Sequence, residues 1–553
     1  MHCSIPAAHH AKARVGAKTA SRTGRKGLRI KGGAACLTLS LLTGCAVGPD
    51  FLPPAAPDVT GYTKEPLKAS SASAGSGLGQ DQSFAEGLDI PGQWWELFHS
   101  RALNDLVEDA LKHNPGLDSA QAALRVAYQT AEAQKGAFWP QASGSFTAYT
   151  TRVATQVSPP GSTTSPYLRL YTPALDVGYV PDVFGLVRRE VESAEATTAL
   201  QQYSLEATYL TLTSNVVAAA IQEASLRGQI EATKKIVKIE TELLNLLRRQ
   251  EALGQVAMAD VMLQEAALAA AEQLLPPLDK ALAQQRDLLT ALAGRYPSDE
   301  IAEKFTLGSL KLPKELPVSL PSAVVEQRPD VKAAEAGLHS ASAAVGVAIA
   351  NRLPVINLTA TLSTSATDLG MLFTGPTTGW LATAAVAQPL FDGFSLYHKQ
   401  KAAEAAYDQA EASYRSTVIT AFQNVADTLR AIQNDARELK AAVHSEEAAL
   451  KSLNIVRKQA ELGQVNLLAI LQAQQTYLTA AVTRVQAQAA RYADTVALFQ
   501  ALGGGWWHRQ DAAPNVDDDR SSGCKEILGP IVSPCVSAPS TASVSVQPQG
   551  NKS

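Results

Sequence analysis

The chain has few of the residues on which chemistry usually depends. Histidines number 9 and are scattered, cysteines number 5, and aromatics make up 6% of the sequence. No His-Glu-x-x-His, phosphate loop, nucleophile elbow or Cys/His metal spacing occurs, so the chain does not read as an enzyme and no cofactor is expected. Gly75-Ser76-Gly77-Leu78-Gly79 is glycine-rich, but it lies in a Ser/Ala-rich stretch rather than between a strand and a helix. The formal net charge is only -4, which does not suggest a nucleic-acid partner. Long apolar runs are also missing. The longest, Ala34–Leu42, is well short of the roughly 20 residues a membrane helix needs. If the chain crosses a bilayer, it must do so with strands.

The sequence is rich instead in Ala, Gln, Leu, Glu, Lys and Arg over long stretches, the composition of extended helices. Eight basic residues from Lys12 to Lys31, with no acid among them, precede the apolar run, in the order of a secretory signal. The run closes on Leu42-Thr43-Gly44-Cys45, which resembles the lipobox of bacterial lipoproteins. That resemblance implies a covalent lipid on Cys45, and Ala46 after it resembles lipoproteins sent to the outer membrane. Cys524 and Cys535 stand in the polar tail. They are read either as a small disulfide loop or as two free thiols.

The body is a tandem repeat. Asn114-Pro115-Gly116-Leu117 matches Arg328-Pro329-Asp330-Val331, Asn215-Val216 matches Asn424-Val425, and Leu253-Gly254-Gln255-Val256 matches Leu462-Gly463-Gln464-Val465. Each unit has the same plan. A Pro opens a helix, and a Thr/Ser-rich strand pair follows. An Asp/Gly/Phe turn then leads into a very long helix, and a Gly reversal starts a return helix. Val418, Phe422, Val425, Leu429, Ile432, Ala436, Leu439 and Val443 alternate spacings of four and three, a coiled-coil seam. Leu212, Val216, Ala219, Leu226, Ile230, Val237, Leu244 and Leu247 hold most of a second seam.

The expected organisation is a signal at 1–44 and a lipid-anchored tether at 45–92. A first repeat covers 93–294, with strands at 141–152 and 170–181, and a linker covers 295–327. A second repeat covers 328–505, with strands at 355–367 and 380–390, and a disordered tail covers 506–553. The fold class is mixed α/β: a helical periplasmic part and four membrane strands per chain. Strands in lipid must close into a barrel, and four are too few, so several chains must share one wall.

With this plan, Cys45-Ala46-Val47-Gly48-Pro49-Asp50, Trp94-Trp95, Gln327-Arg328-Pro329-Asp330-Val331 and Ala501-Leu502-Gly503-Gly504-Gly505-Trp506 resemble, in this order, the motifs of the outer membrane factor family. The likeness is to its lipoprotein branch, which serves resistance-nodulation-division efflux pumps. It implies a homotrimer closing a twelve-stranded barrel on a helical barrel in the outer membrane. It also implies a periplasmic adaptor and an inner-membrane pump as partners, with small toxic compounds as cargo. Export of proteins by a type I secretion route is the alternative.

By the same resemblance the helical turns narrow the channel. The positions where relatives often carry Asp are Ala469 and Gln472 here, and Leu468 matches a hydrophobic ring. Asp260 is the acid kept in the first repeat, and it also suits a helix N-cap. The expectation is a gate closed by Leu468 and Gln472 rather than by charge. The Gly254-Gln255 and Gly463-Gln464 turns are the expected adaptor contacts. Trp139, Tyr167, Tyr171 and Trp380 are candidate aromatic belts at the strand ends.

Overall fold

The computed structural model describes residues 46–59, 61–65, 70–75, 79–152, 167–319 and 321–509. Cys45, Cys524, Cys535 and the tail from residue 510 onward lie outside the described residues.

Two strand pairs and two helical hairpins carry the repeat. Helix α1 (Arg101–His113) and helix α2 (Pro115–Lys135) lead into β2 (Gln141–Arg152) and β3 (Tyr167–Tyr179), numbered after a short strand β1 (Ser83–Glu86). Helix α3 (Leu186–Ala252) follows, and α4 (Met258–Glu272) and α5 (Leu275–Leu292) return along it. Strand β4 (Glu315–Val318) and helix α6 (Pro321–Gln327) connect to the second unit. That unit comprises α7 (Pro329–Ala350), β5 (Val355–Thr364), β6 (Thr378–Ala387), α8 (Ser395–Glu461) and α9 (Leu467–Ala501).

Local chemistry sets the boundaries. Asn114 caps α2 by accepting the Gly116 N–H at 2.8 Å, and Pro115 takes the first turn, where a missing N–H costs nothing. The long helices are each 67 residues, about 100 Å at 1.5 Å per residue. Asp182 opens the first by accepting the N–H groups of Val187 and Arg188 at 3.2 and 3.1 Å. Asp392 does the same for Leu396 at 2.7 Å. On α8 the buried seam runs Tyr414, Val418, Ala421, Val425, Leu429, Ile432, Ala436, Leu439 and Ala442. Phe422 and Val443 sit at its margin, displaced by the small Ala421 and Ala442, which let α9 and α7 approach closely.

Several expectations need correction. β3 begins and ends earlier than 170–181, β5 is shorter than 355–367, and β6 ends before 390. The first return helix is broken at Gln273-Leu274, because Pro276 and Pro277 cannot donate to the preceding turn. α7 is 22 residues long and apolar enough, at a mean hydropathy of 1.2, to satisfy the length and composition of a membrane helix. It packs against α3 and α8 instead.

The stretch 45–92 is not simply a tether. β1 pairs in parallel with β4, and the fully buried Arg491 of α9 donates to Gln82 Oε1 and Ser71 Oγ, both at 3.2 Å, and to the Gln80 carbonyl. The stretch 295–327 is not simply a linker either. Ile301, Phe305, Leu310 and Leu316 are core residues that share one cluster with Ile90, Trp94, Trp95, Phe98 and Phe499. Trp94 stacks on Phe499 at 5.3 Å. These short segments form a shoulder against α3 and the C-terminal end of α9. The start of the 506–553 tail is also folded: Trp506–His508 is a 3-10 turn held to the shoulder by Trp506 Nε1, which donates to the Gln327 carbonyl at 2.6 Å.

Candidate functional site

The four-stranded sheet, in order β2-β3-β5-β6, is antiparallel throughout. Paired residues share a face, so the register sorts its side chains. Leu358 lies opposite Tyr179 and Ala384, Ala360 opposite Val177 and Ala382, and Leu362 opposite Leu175 and Trp380. Phe146 opposite Pro173 and Ile356 opposite Val386 extend this apolar face. The other face carries Ser143, Asp176, Thr361 and Leu381 in one row, with Ser145, Thr147, Thr172, Thr359 and Thr383 around it. Thr361 Oγ1 donates to Asp176 Oδ1 at 2.6 Å. Among the described residues nothing covers the apolar face: Leu362 is 50% exposed, Val386 69% and Trp380 80%. β2 and β6 are both open edges with unpaired backbone groups along one side. Of the expected belt residues, Tyr167, Tyr171 and Trp380 share the apolar face, and Arg152 lies over the Tyr167 ring at 5.8 Å. Trp139 is exposed just ahead of β2.

At the other end of the long helices the two turns are built alike. Gly254 has φ +72 and Gly463 φ +70. Gln255 N–H donates to Gln250 O at 2.9 Å, and Gln464 N–H to Gln459 O at 2.9 Å, so both turns close in the same Schellman pattern. Leu253 and Leu462 project beside them, 73% and 66% exposed. The turns differ in their caps. Asn466 caps α9 by accepting the Ala469 N–H at 3.1 Å. The N-cap of α4 is Ala257, so Asp260 is not a cap: it sits in the first turn, half-buried, where the helix dipole favours an acid.

Leu468 is 63% exposed, and Gln472 is exposed one turn further on. Gln472, Gln475, Thr476, Thr479 and Thr483 then line, with Ala442 and Ser445 of α8, a groove of about 350 Å³ containing no charged side chain. The opposite face of α9 (Tyr477, Ala481, Arg484, Gln488) borders a groove of about 860 Å³ carrying Arg227, Lys234, Lys235 and Lys238. Among the described residues no group of His, Cys, Asp and Glu could hold a metal ion.

The family model for outer membrane efflux proteins matches residues 106–295 and 320–504. The chain belongs to the outer membrane efflux protein family. The match falls on both repeats, each with its strand pair and hairpin. The chain is 28% identical over 478 residues to the probable efflux pump outer membrane protein TtgC of Pseudomonas putida, covering 86% of this chain and 96% of that one. It is 26% identical over 492 residues to the cation efflux system protein CusC of Escherichia coli, covering 85% and 98%. Its fold is similar to the outer membrane channel CmeC of Campylobacter jejuni, with a TM-score of 0.74 at 22% identity, covering 87% of this chain and 98% of that chain.

Sequence reasoning missed one feature of this efflux protein, a seat for the residues after Cys45. Ala46 lies so close to Gly185 that a Cβ there would stand 2.6 Å from its Cα. Val47 N–H donates to Phe184 O at 3.1 Å. Arg189, 4% exposed, donates to the Val47 carbonyl at 3.1 Å and pairs with Asp50 at 2.7 Å. Gly48, with φ +98, meets Gly346 of α7 backbone to backbone, and Phe51 stacks on His339 at 4.4 Å. The residues responsible are one arginine and three glycines distant in sequence, which no local pattern connects.

Proposed function

We propose that this chain is the exit duct of a tripartite efflux pump, a passive conduit in the outer membrane for small toxic compounds. The observation that carries this reading is the two-faced sheet. One face is apolar and uncovered, the other is Ser/Thr-rich with one acid, and both strand pairs open onto long helices. An apolar face fits lipid and a polar face fits a water-filled lumen. β2 and β6 run antiparallel to each other, so the β6 edge of one copy can pair with the β2 edge of the next. Closing the sheet with three copies satisfies every backbone group and sets the helices side by side below it. An adaptor docks on the Gly254-Gln255 and Gly463-Gln464 turns, and a resistance-nodulation-division pump lies beyond it.

The names of the relatives support this reading, since TtgC and CusC are both called efflux proteins. The seat of Ala46 at the start of α3 supports a lipid on Cys45, because it holds the residue that follows Cys45 beside the strand-to-helix boundary. Leu468 and Gln472, with Ala469 between them, support a neutral gate. The uncharged groove continues their line along α9, and Asp260 is the nearby acid of the other repeat.

The test is drug-susceptibility profiling of a deletion strain, complemented with the wild type and with Cys45→Ala. The expected result is hypersusceptibility that the wild type reverses. Normal resistance in the deletion strain with loss of a secreted protein would transfer the assignment to protein secretion. A purified trimer that never conducts in planar bilayers, even as Leu468→Ala, would refute a duct of either kind.

A further inference from the structure

The end of the sheet far from the helices carries two arginines on its apolar face. Arg152 lies opposite Tyr167 and Arg169 opposite Thr150, so the arginines are diagonal neighbours on adjacent strands. Such neighbours stand about 7–8 Å apart, close enough for two long side chains to converge on one group. Both belong to the face that holds Phe146, Leu175 and Leu362, and both are exposed. Arg152 lies over the Tyr167 ring at 5.8 Å, and Tyr171 follows Arg169 on the same face of β3. Neither arginine has an ion-pair partner among the described residues. The strands place no Asp or Glu on this face, and the sequence 153–166 between β2 and β3 contains none. Asp368, between β5 and β6, accepts the Gly370 N–H at 2.9 Å.

Like charges side by side on a sheet are destabilising unless an opposite charge lies against them. Depth narrows what that charge is. β2 is 12 residues long, starts beside α2 and ends at Arg152. At about 3.4 Å per residue and a tilt of 35–45°, its end stands roughly 27–31 Å above its start. The apolar band of an outer-membrane barrel is about 25 Å tall and is edged by aromatic rings. Tyr167 and Tyr171 match that edge, which puts the two guanidiniums at the level of the lipid headgroups. A guanidinium presents paired N–H donors that fit phosphate oxygens. Two of them match the charge of a phosphate monoester, about −1.5 to −2 near neutral pH, better than the single charge of a diester. We propose that Arg152 and Arg169 together bind the phosphomonoester headgroup of a lipid in the leaflet at the outer rim of the sheet, with the Tyr167 and Tyr171 rings against the top of its acyl chains. The site requires that this face meets lipid, as the proposed duct does.

The test is native mass spectrometry of the purified full chain in neutral detergent, titrated with phosphatidic acid (a monoester), phosphatidylglycerol (a diester) or inorganic phosphate. Comparison chains are R152Q/R169Q, R152K/R169K and R415Q, the last removing an exposed arginine of α8 that pairs with Glu411. The expected result is phosphatidic acid bound alike by the wild type and R415Q and roughly ten-fold more weakly by R152Q/R169Q. R152K/R169K should fall between, because an ammonium keeps the charge without the fork. Equal binding by the wild type and R152Q/R169Q would overturn the proposal. So would phosphatidylglycerol or inorganic phosphate binding the wild type as tightly as phosphatidic acid. Insertion into phosphatidylcholine vesicles, read by protease protection, separates the two levels. A wild type that inserts but shows no arginine-dependent preference sinks the rim site alone, and one that never inserts sinks the lipid face with it.

Discussion

Two neighbouring residues at the middle of β5 separate the faces of the sheet most sharply. Ala360 lies between Leu358 and Leu362 on the apolar face, opposite Val177 and Ala382. Thr361 is the next residue and points the other way, onto the row that holds Asp176 and Ser143. An arginine on the lipid face near the bilayer midplane costs about 2–4 kcal/mol, and on a watery lumen face close to nothing. Ala360→Arg should therefore lower the folding equilibrium constant about 30- to 700-fold relative to Thr361→Arg, since about 1.4 kcal/mol is a factor of ten. Asp176 beside position 361 offers the second arginine a partner, which widens the gap. The comparison controls for strand, depth, side-chain size and charge, so only the face differs. Folding from denaturant into phospholipid vesicles, followed by electrophoretic mobility and protease protection, measures it. Equal costs at the two positions, or a larger cost at Thr361, would refute the assignment of lipid and lumen faces.

Three further outcomes follow from particular contacts. Arg286 donates to Glu223, whose side chain is fully buried, at 2.9 Å, and to the carbonyls of Ile301 and Glu303 at 2.7 and 3.0 Å. Arg286→Met should cost about 3 kcal/mol in denaturant melts, limited because Glu223 keeps Arg227 at 2.6 Å, and adding Glu223→Gln should recover part of it. The Asp435 carboxyl is pushed up to about 8, first by burial between α8 and α9 and then by Asp494 and Glu438, with Arg491 opposing. Its folded pKa lies above its unfolded one, so its contribution is present in acid and lost as pH rises through about 8. The melting temperature should fall between pH 6 and pH 9, and Asp435→Asn should flatten that fall by the equivalent of about 2 kcal/mol after discounting for partial exposure. Gly463→Ala should cost about 1 kcal/mol through its positive φ alone, since nothing lies within 4 Å of a Cβ there, and Gly463→Asn should cost less. Exchange rates in the last turn of α8 would show both.

The doubled plan was legible because its signals are local and occur twice. A Pro opens a helix, alternating Thr and apolar residues mark a strand, and Gly before Gln ends a 67-residue helix. The coiled-coil seam was legible because its period is long and regular, although spacing alone could not choose between Phe422 and Ala421. That choice depends on how closely a neighbouring helix approaches. The shoulder was not legible. β1 and β4 are four residues each and pair across more than two hundred positions, and Arg491 reaches back to Ser71 and Gln82 from the last helix. Low complexity around residues 70–79 reads as a free tether, yet Ser71 binds a distant buried arginine and Ala74 packs beside Leu439. Asp260 shows the same limit at one residue. Asp before an apolar run suits a cap, yet the chain places its cap three residues earlier, at Ala257.

Duplication produced two hairpins of equal length but unequal stiffness. The first returns in two pieces, because Pro276 and Pro277 remove backbone donors. It compensates with polar links between its helices: Gln264, fully buried, donates to the Glu240 carbonyl at 3.2 Å and also to its carboxylate, and Arg248 faces Glu265 at 3.4 Å. Burial raises the Glu240 pKa, and the Gln264 hydrogen bond, which favours the ionised carboxylate, opposes it. The second hairpin returns in one uninterrupted 35-residue helix, and its groove beyond Gln472 holds only Gln, Thr, Ser and Ala. A broken helix can bend at its break, whereas a continuous one transmits a displacement from one end to the other. In a duct opened from its tips, motion at Leu468 would therefore travel up α9 to Arg491 and the shoulder, while motion at Asp260 would be absorbed at Gln273-Leu274. The proposed gate residues Leu468 and Gln472 and the unbroken helix thus fall in the same repeat, a pairing that charge at the tip alone would not require.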